Sequence, residues 1–376
     1  MARPRIPVYQ RLGVKTIVHA SGTTTRFGGT LLLPAALEAM AEASLAFVDI
    51  DELNARAGEA LARVCGAEAG LVTSGAAAGL VLQAAACMTG ADPAKVARIP
   101  DTEGMRNEIV IQRGQRIQYD QAYRQAGAKL VEVGYPRRCA PWDLEGALNE
   151  RTAAVAFIET PYTSPELLSL PAVAEIAHRH GLPVIVDAAS TLPPKDNLRR
   201  FVREGGDMVI ISGGKGVRGP QSTGILAGRK DLIEAATLNS SPNAGIGRPM
   251  KTSKEEIVGL VTALEHYDAH DEEPDMRRWR AQMQQMVDAL VEIPGIRPVV
   301  EHDRHNHLIP HAVVYFDGSW RGPSTPELLA RLRQGDPPIY MSAGGFAGEL
   351  VVDPFSLQEG EVEIVARRLY QVLTER

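Results

Sequence analysis

Cysteine and aromatic side chains are scarce in this 376-residue chain, which has three cysteines and 5% Phe, Trp and Tyr together. Cys65, Cys87 and Cys139 lie far apart, giving neither a disulfide framework nor metal-ligand spacing. Cys65 and Cys87 stand among apolar, alanine-rich neighbours, which suits core positions. Positive charge is not in excess. Forty Lys and Arg against 46 Asp and Glu leave a net charge of −6, so bulk electrostatics do not favour nucleic acid. No apolar run approaches the ~18–20 residues needed to span a membrane. The opening Met1-Ala2-Arg3-Pro4-Arg5-Ile6-Pro7 lacks the apolar centre of a secretory leader. These absences point to a cytoplasmic protein that meets neither membrane nor nucleic acid. What is present, 44% hydrophobic and 23% charged residues, suits a globular enzyme of one large α/β domain with an appendage, or of two domains.

Apolar runs at 70–73, 109–112, 129–133, 153–158, 183–186, 208–211 and 223–227 read as strands, with helical patterns at 58–65, 76–88, 119–126, 143–149 and 172–180 between most of them. Pro34 suits the first turn of a further helix reaching about Ala46. Unbroken Val/Ile/Ala strands separated by helices predict a mainly parallel sheet covered on both faces. Beyond about residue 245 two charged amphipathic helices (254–270 and 274–293) lead into a second β/α set at 312–316, 326–334, 339–341, 349–353 and 361–373. The expected division is an N-terminal arm with part of a small domain (1–50), a large cofactor-binding domain (51–245) and a small C-terminal α+β domain (246–376).

The chemistry concentrates around Ser212-Gly213-Gly214-Lys215-Gly216-Val217-Arg218-Gly219-Pro220-Gln221, directly after a buried strand. A lysine among glycines at a strand end is poorly placed as a surface charge. It suits the amine that forms a Schiff base with an aldehyde cofactor. Twenty-eight residues earlier, a second apolar strand ends in Asp187. A carboxylate there can keep a pyridinium nitrogen protonated, as pyridoxal 5'-phosphate needs in order to act as an electron sink. Upstream, Ser74-Gly75-Ala76-Ala77 joins a strand to a small-residue helix, where free backbone N–H groups can seat a phosphate. The bland alternative is a serine cap on a tightly packed helix. Ala189 suits one face of the cofactor ring and Ser212 a phosphate contact. Gln115, with Arg116 and Tyr119 nearby, is a candidate for the other face; each is otherwise a polar loop residue.

Residues 212–224 resemble the active-site lysine segment of the selenocysteine synthase (L-seryl-tRNA selenium transferase)-like group of fold type I pyridoxal phosphate enzymes. Ile17-Val-His-Ala-Ser-Gly-Thr23 resembles that group's N-terminal signature, Ala67-Glu-Ala-Gly-Leu-Val-Thr-Ser-Gly-Ala-Ala-Ala78 its phosphate turn, and Gly247-Arg-Pro-Met-Lys251 also fits. The likeness runs from about residue 12 to the C-terminus and is greatest to members described as D-glucosaminate-6-phosphate ammonia-lyase-like. It implies the aspartate aminotransferase-like fold, with Lys215 carrying the cofactor, Asp187 on the ring nitrogen and Ser74 to Ala77 on the phosphate. It also implies a homodimer or ring of dimers. Two places depart from the pattern. The stretch 338–345 lacks the arginine of the seryl-tRNA enzymes, and Gln115 stands where lyase-type members carry histidine.

Arg26, Arg116, Arg218 and Arg248 are candidates for binding a substrate carboxylate or phosphate, since guanidinium matches both; Arg218 and Arg26 are preferred. The run Glu301-His302-Asp303-Arg304-His305-Asn306-His307 to His311 follows no metal-site spacing and reads as a polar loop, so no metal is expected. The leading expectation is α,β-elimination from a hydroxylated amino acid or amino sugar acid, giving a 2-oxo acid and ammonia. The alternatives are a racemase, aldolase or β-replacement enzyme using the same cofactor, and, in another class, a non-catalytic cofactor-binding or RNA-binding protein. The absence of an evident extra RNA-binding domain speaks against the last.

Overall fold

The computed structural model describes residues 6–159, 163–303, 306–344 and 348–375. Among them are twelve strands: β1 (Val18–Ala20), β2 (Ala69–Thr73), β3 (Glu108–Gln112), β4 (Lys129–Val133), β5 (Thr152–Ile158), β6 (Val184–Asp187), β7 (Met208–Ser212), β8 (Gly224–Gly228), β9 (Ile296–Glu301), β10 (His311–Phe316), β11 (Ile339–Ala343) and β12 (Leu350–Val352). The chain forms two compact units, residues 32–270 and residues 1–31 with 271–376. These limits differ from the breaks at 50 and 245 drawn from sequence texture. Helices Pro34–Ala43 and Lys254–Ala269 both belong to the larger unit, where Ala36, Ile257, Leu260 and Leu264 share one apolar core. They approach closely at Gly259, where a Cβ would sit 2.6 Å from the Met40 side chain.

The larger unit holds a seven-stranded sheet in the order β2-β8-β7-β6-β5-β3-β4. The pairs β4–β3, β3–β5, β5–β6 and β6–β7 are parallel, and β8 alone runs against its neighbours β7 and β2. Successive side chains along each strand point to opposite faces, and both faces are buried. Val155, Phe157, Val184, Val186, Val209 and Ile211 enter one core, while Ala154, Ala156, Ile158, Ile185, Met208 and Ile210 enter the other. Helix Ile50–Cys65 starts eight residues before the apolar pattern does. Asp49 caps it by accepting from the backbone N–H groups of Asp51 and Glu52, and its first turns are mostly solvent-facing. The other unit has a five-stranded sheet, β1-β11-β12-β10-β9. Its core is built by Met283, Met286 and Leu290, Leu328 and Leu332, and Val365 and Leu369, from three helices packed with that sheet.

Candidate active site

Strand register gathers the sequence motifs at one sheet edge. Asp187, the last residue of β6, lies opposite Ile210 of β7. Ser212, the last of β7, lies opposite Gly224, which also faces Thr73 at the end of β2. Ser74 and the Lys215 turn follow those two strand ends directly, so both meet the carboxyl edge where Asp187 sits. Ligands on open parallel sheets bind at this edge.

The Lys215 turn is closed by backbone bonds. The Arg218 N–H donates to the Lys215 carbonyl at 2.9 Å, and the Gly219 N–H to the Gly213 carbonyl at 2.9 Å. Its glycines are required by crowding. A Cβ on Gly214 would lie 2.3 Å from Gln221 Cα, and one on Gly216 would lie 2.6 Å from the Leu192 Cβ. Asp187 is buried and its Oδ1 accepts from the Ala189 N–H at 3.0 Å. Burial pushes its carboxyl above the usual aspartate range, opposed by that N–H and by the charge of Lys215. Burial likewise pulls the Lys215 amine below the usual lysine range, opposed by Asp187. The two groups therefore sense each other in a poorly solvated place, and both are biased toward their neutral forms.

Pyridoxal 5'-phosphate makes three demands on a site: a seat for the phosphate, a carboxylate for the ring nitrogen and an amine. The residues present fit each of them. Helix Gly75–Thr89 begins at Ser74, whose side chain makes no capping bond, so no side-chain cap from Ser74 occupies the amides of the first turn. Gly75 adopts φ +75 and nothing lies within 4 Å of where its Cβ would stand, leaving room above Ala76 and Ala77. Gln115, in the turn after β3, is buried; its Oε1 accepts from Gln112 Nε2 at 3.4 Å, while its own Nε2 has no partner. A buried donor left open is a place for a ligand acceptor. Ala189 is half-buried beside Asp187, and Ser212 is buried at the strand end.

The arginines separate. Arg218 is half-buried in the lysine turn. Arg116 is engaged by Asp120 and Glu132, which hold its guanidinium in two ion pairs. Arg248 is exposed, and Arg26 is exposed on the Thr25–Phe27 turn of the other compact unit. In the histidine-rich run, His307 pairs with Glu301 at 3.2 Å and His311 with Asp353 at 3.2 Å. His305 lies outside the described residues. No group of three or more potential metal ligands occurs among the described residues.

Two features near Asp187 carry no motif in the sequence. The Glu159 N–H donates to the Asp187 carbonyl at 2.9 Å, and Glu159 is paired with Arg200 at 2.9 Å. Gln83, in the middle of helix Gly75–Thr89, is fully buried and donates to the carbonyls of Val186 (3.2 Å) and Met208 (3.0 Å). Its only sequence signal is a lone amide in an otherwise apolar helix.

The family model described as L-seryl-tRNA selenium transferase (SelA) matches residues 35–286. The chain belongs to this family. Within it, a D-glucosaminate-6-phosphate ammonia lyase of Salmonella typhimurium (strain 14028s / SGSC 2262) is 36% identical over 97% of both chains. A solved structure of a D-glucosaminate-6-phosphate ammonia-lyase superposes with a TM-score of 0.85 at 35% identity over 99% of each chain. A 5'-C-glycyluridine monooxygenase-decarboxylase from Streptomyces sp. is 35% identical over 98% of this chain and 92% of its own. Serine palmitoyltransferase holding pyridoxal phosphate, 15% identical with a TM-score of 0.60 over 95% of this chain and 87% of its own, shares the fold. The fold is fold type I, α/β, and the family's cofactor is pyridoxal phosphate.

Proposed function

We propose that this protein is a pyridoxal phosphate-dependent lyase that removes ammonia from a hydroxylated amino acid or amino sugar acid to give a 2-oxo acid. The observation that carries the reading is the buried Asp187 interacting with the half-buried Lys215 at the sheet edge where the Gly75–Thr89 helix opens without a side-chain cap. The ammonia-lyase relative, similar over its whole length, supports the reaction class. Bound pyridoxal phosphate supplies an electron sink for charge developing at the substrate α-carbon. Ser74, Gly75, Ala76 and Ala77 would hold its phosphate, Asp187 the proton on its ring nitrogen, and Gln115, Ala189 and Ser212 its ring and flanks. Lys215 would bind it covalently. With a substrate amine bound, the Lys215 Nζ would be available as a base for the α-carbon proton. Burial, which lowers the proton affinity of this amine against the opposing charge of Asp187, would favour its unprotonated form. The β-hydroxyl would leave as water by taking up the proton held on the Lys215 Nζ, and the enamine product would tautomerise and hydrolyse to the 2-oxo acid and ammonia. Water lost in the first step is regained in the last.

Among the arginines, Arg218 and Arg26 are the preferred contacts for a substrate acid group, ahead of Arg248 and of Arg116, whose carboxylate partners it would have to leave. The net charge of −6 supports a free small molecule over a nucleic acid as substrate. No described helix is long and apolar enough to cross a membrane, and Cys65, Cys87 and Cys139 are free thiols, which agrees with a cytoplasmic place. Exposed Leu37, Leu45, Phe47 and Val48 support a homodimer or a ring of dimers.

The test is a visible absorption titration of the purified protein, with Lys215→Ala alongside, against D- and L-hydroxyamino acids and phosphorylated amino sugar acids. Ammonia, 2-oxo acid and oxygen uptake are measured together. A yellow protein whose band is absent from Lys215→Ala, and which yields ammonia and 2-oxo acid in equal amounts without oxygen, is expected. Oxygen uptake with loss of carbon dioxide would transfer the chain to the chemistry of the Streptomyces relative. A colourless protein after added cofactor would overturn the reading.

A further inference from the structure

Gln83 is an expensive choice for its position. It is fully buried between apolar neighbours of one core, Leu80, Leu82, Ala84 and Ala86 among them. Its Oε1 has no partner there. Leu or Met would fill the same space without burying an amide, so packing gives no reason for it. Its two hydrogen bonds do. They join the helix that opens at the phosphate seat to two neighbouring strands, ending on Val186, the residue before Asp187, and on Met208 at the start of the strand that leads to Lys215. One side chain thus ties together the elements that carry the three cofactor-binding functions.

A second open group lies on the same side of the sheet. Tyr123, in helix Gln121–Gln125, is fully buried in the same core, and its hydroxyl has no partner. Its ionisable neighbours are Asp187, Asp120 and Cys87; Cys87 is one turn after Gln83 on the same helix. The Tyr123 phenol is thus a buried, unpartnered polar group whose electrostatic neighbours include Asp187.

We propose that Gln83 is a positioning residue that fixes Asp187 relative to Lys215, with the buried Tyr123 phenol as a second polar group bearing on Asp187. The groups around Asp187 that bear on its charge are Lys215, Tyr123 and the Ala189 N–H. The inference rests on the proposed cofactor reading, and its test separates the two. Gln83→Met and Tyr123→Phe are compared with the wild-type holoenzyme for thermal midpoint, cofactor affinity by fluorescence titration of the stripped protein, pH titration of the visible band, and kcat against KM. A wild-type protein without a visible band removes the cofactor reading itself. If the band is present, Gln83→Met is expected to keep or raise the thermal midpoint and to bind cofactor about threefold to tenfold more weakly. Its band midpoint is expected to move by about half a pH unit or more, and kcat to fall with little change in KM. Tyr123→Phe is expected to move the band midpoint in the same direction by less, and it serves alone if Gln83→Met does not fold. Unchanged cofactor affinity and an unchanged band in a folded variant would overturn the proposal and leave Gln83 a structural amide.

Discussion

Arg218 is the one non-glycine residue with positive φ among those described, at +59. The left-handed region costs a side-chain-bearing residue roughly 1–2 kcal/mol, and such outliers gather where function holds them. The loop enforces the conformation, with the Arg218 N–H on the Lys215 carbonyl and its own carbonyl accepting from Leu33 at 3.0 Å. Glycine would relieve the strain and would lose about 0.5–1 kcal/mol to its greater freedom when unfolded. Arg218→Gly should therefore melt at the same temperature or slightly higher, while KM for an acidic substrate rises about tenfold or more if the guanidinium reads that acid group. Differential scanning fluorimetry beside steady-state kinetics checks both; an unchanged KM would remove Arg218 from the substrate site. Lys215, Asp187 and the Ser74 turn stand out in the sequence because each ends or follows an apolar strand in a glycine- or alanine-rich context. Gln83 and Tyr123 do not, because an amide or phenol in an apolar helix acquires meaning only from the strand carbonyl or carboxylate that packing brings to it. Arg116 shows the reverse limit, since sequence spacing could not reveal that Asp120 and Glu132 already claim it.

Elements with strong apolar runs were read within a residue or two: 129–133 is β4, 208–211 gained only Ser212, and 183–186 shifted by one to end on Asp187. The short β1 and the β9 strand, of whose six residues only Ile296 and Pro298 are buried, carried too little pattern to be seen. β1 exists because it pairs in parallel with β11, a partner more than three hundred residues away. In the same sheet, His311 on β10, between β12 and β9, is locked to the segment after β12. Its Nδ1 donates to the Ile309 carbonyl at 2.7 Å, and its Nε2 faces Asp353 at 3.2 Å. Asp353 and these hydrogen bonds outweigh burial and raise the imidazole above its ordinary value of 6.5, while His311 in turn lowers Asp353. A raised histidine stabilises the fold fully below its unfolded value, near 6.5, and loses that contribution as pH rises through its folded value. The depressed Asp353 contributes above about 4 and loses its share as pH falls through its folded value. The melting difference between wild type and His311→Gln should thus be largest near pH 5–6 and shrink toward pH 9. A difference that grows with pH would mean the histidine is neutral in the folded protein.

At the scale of the whole molecule, the larger unit buries both faces of its sheet but leaves Leu45 86% and Phe47 101% exposed, with Leu37 and Val48 more than half exposed in the same short stretch. Scattered surface leucines need no explanation, but four exposed large apolar residues between positions 37 and 48, an unburied phenylalanine among them, support the proposed self-association. Phenylalanine alone buries about 150–250 Å² when covered, which at about 25 cal/mol per Å² is several kcal/mol for each copy of a two-fold interface. Fold class and cofactor chemistry follow from one chain's own pattern, whereas the proposed homodimer would supply this patch with a second chain. A two-fold contact brings the same segment from both copies into one interface, so each substitution acts twice. Light scattering coupled to size exclusion should give an even multiple of the 40.6 kDa chain mass for the wild type. Leu45→Asp combined with Phe47→Asp should move the population toward the single-chain mass in a concentration-dependent way, with far-ultraviolet dichroism unchanged. A wild-type mass of one chain at micromolar concentration would leave the patch to a different partner.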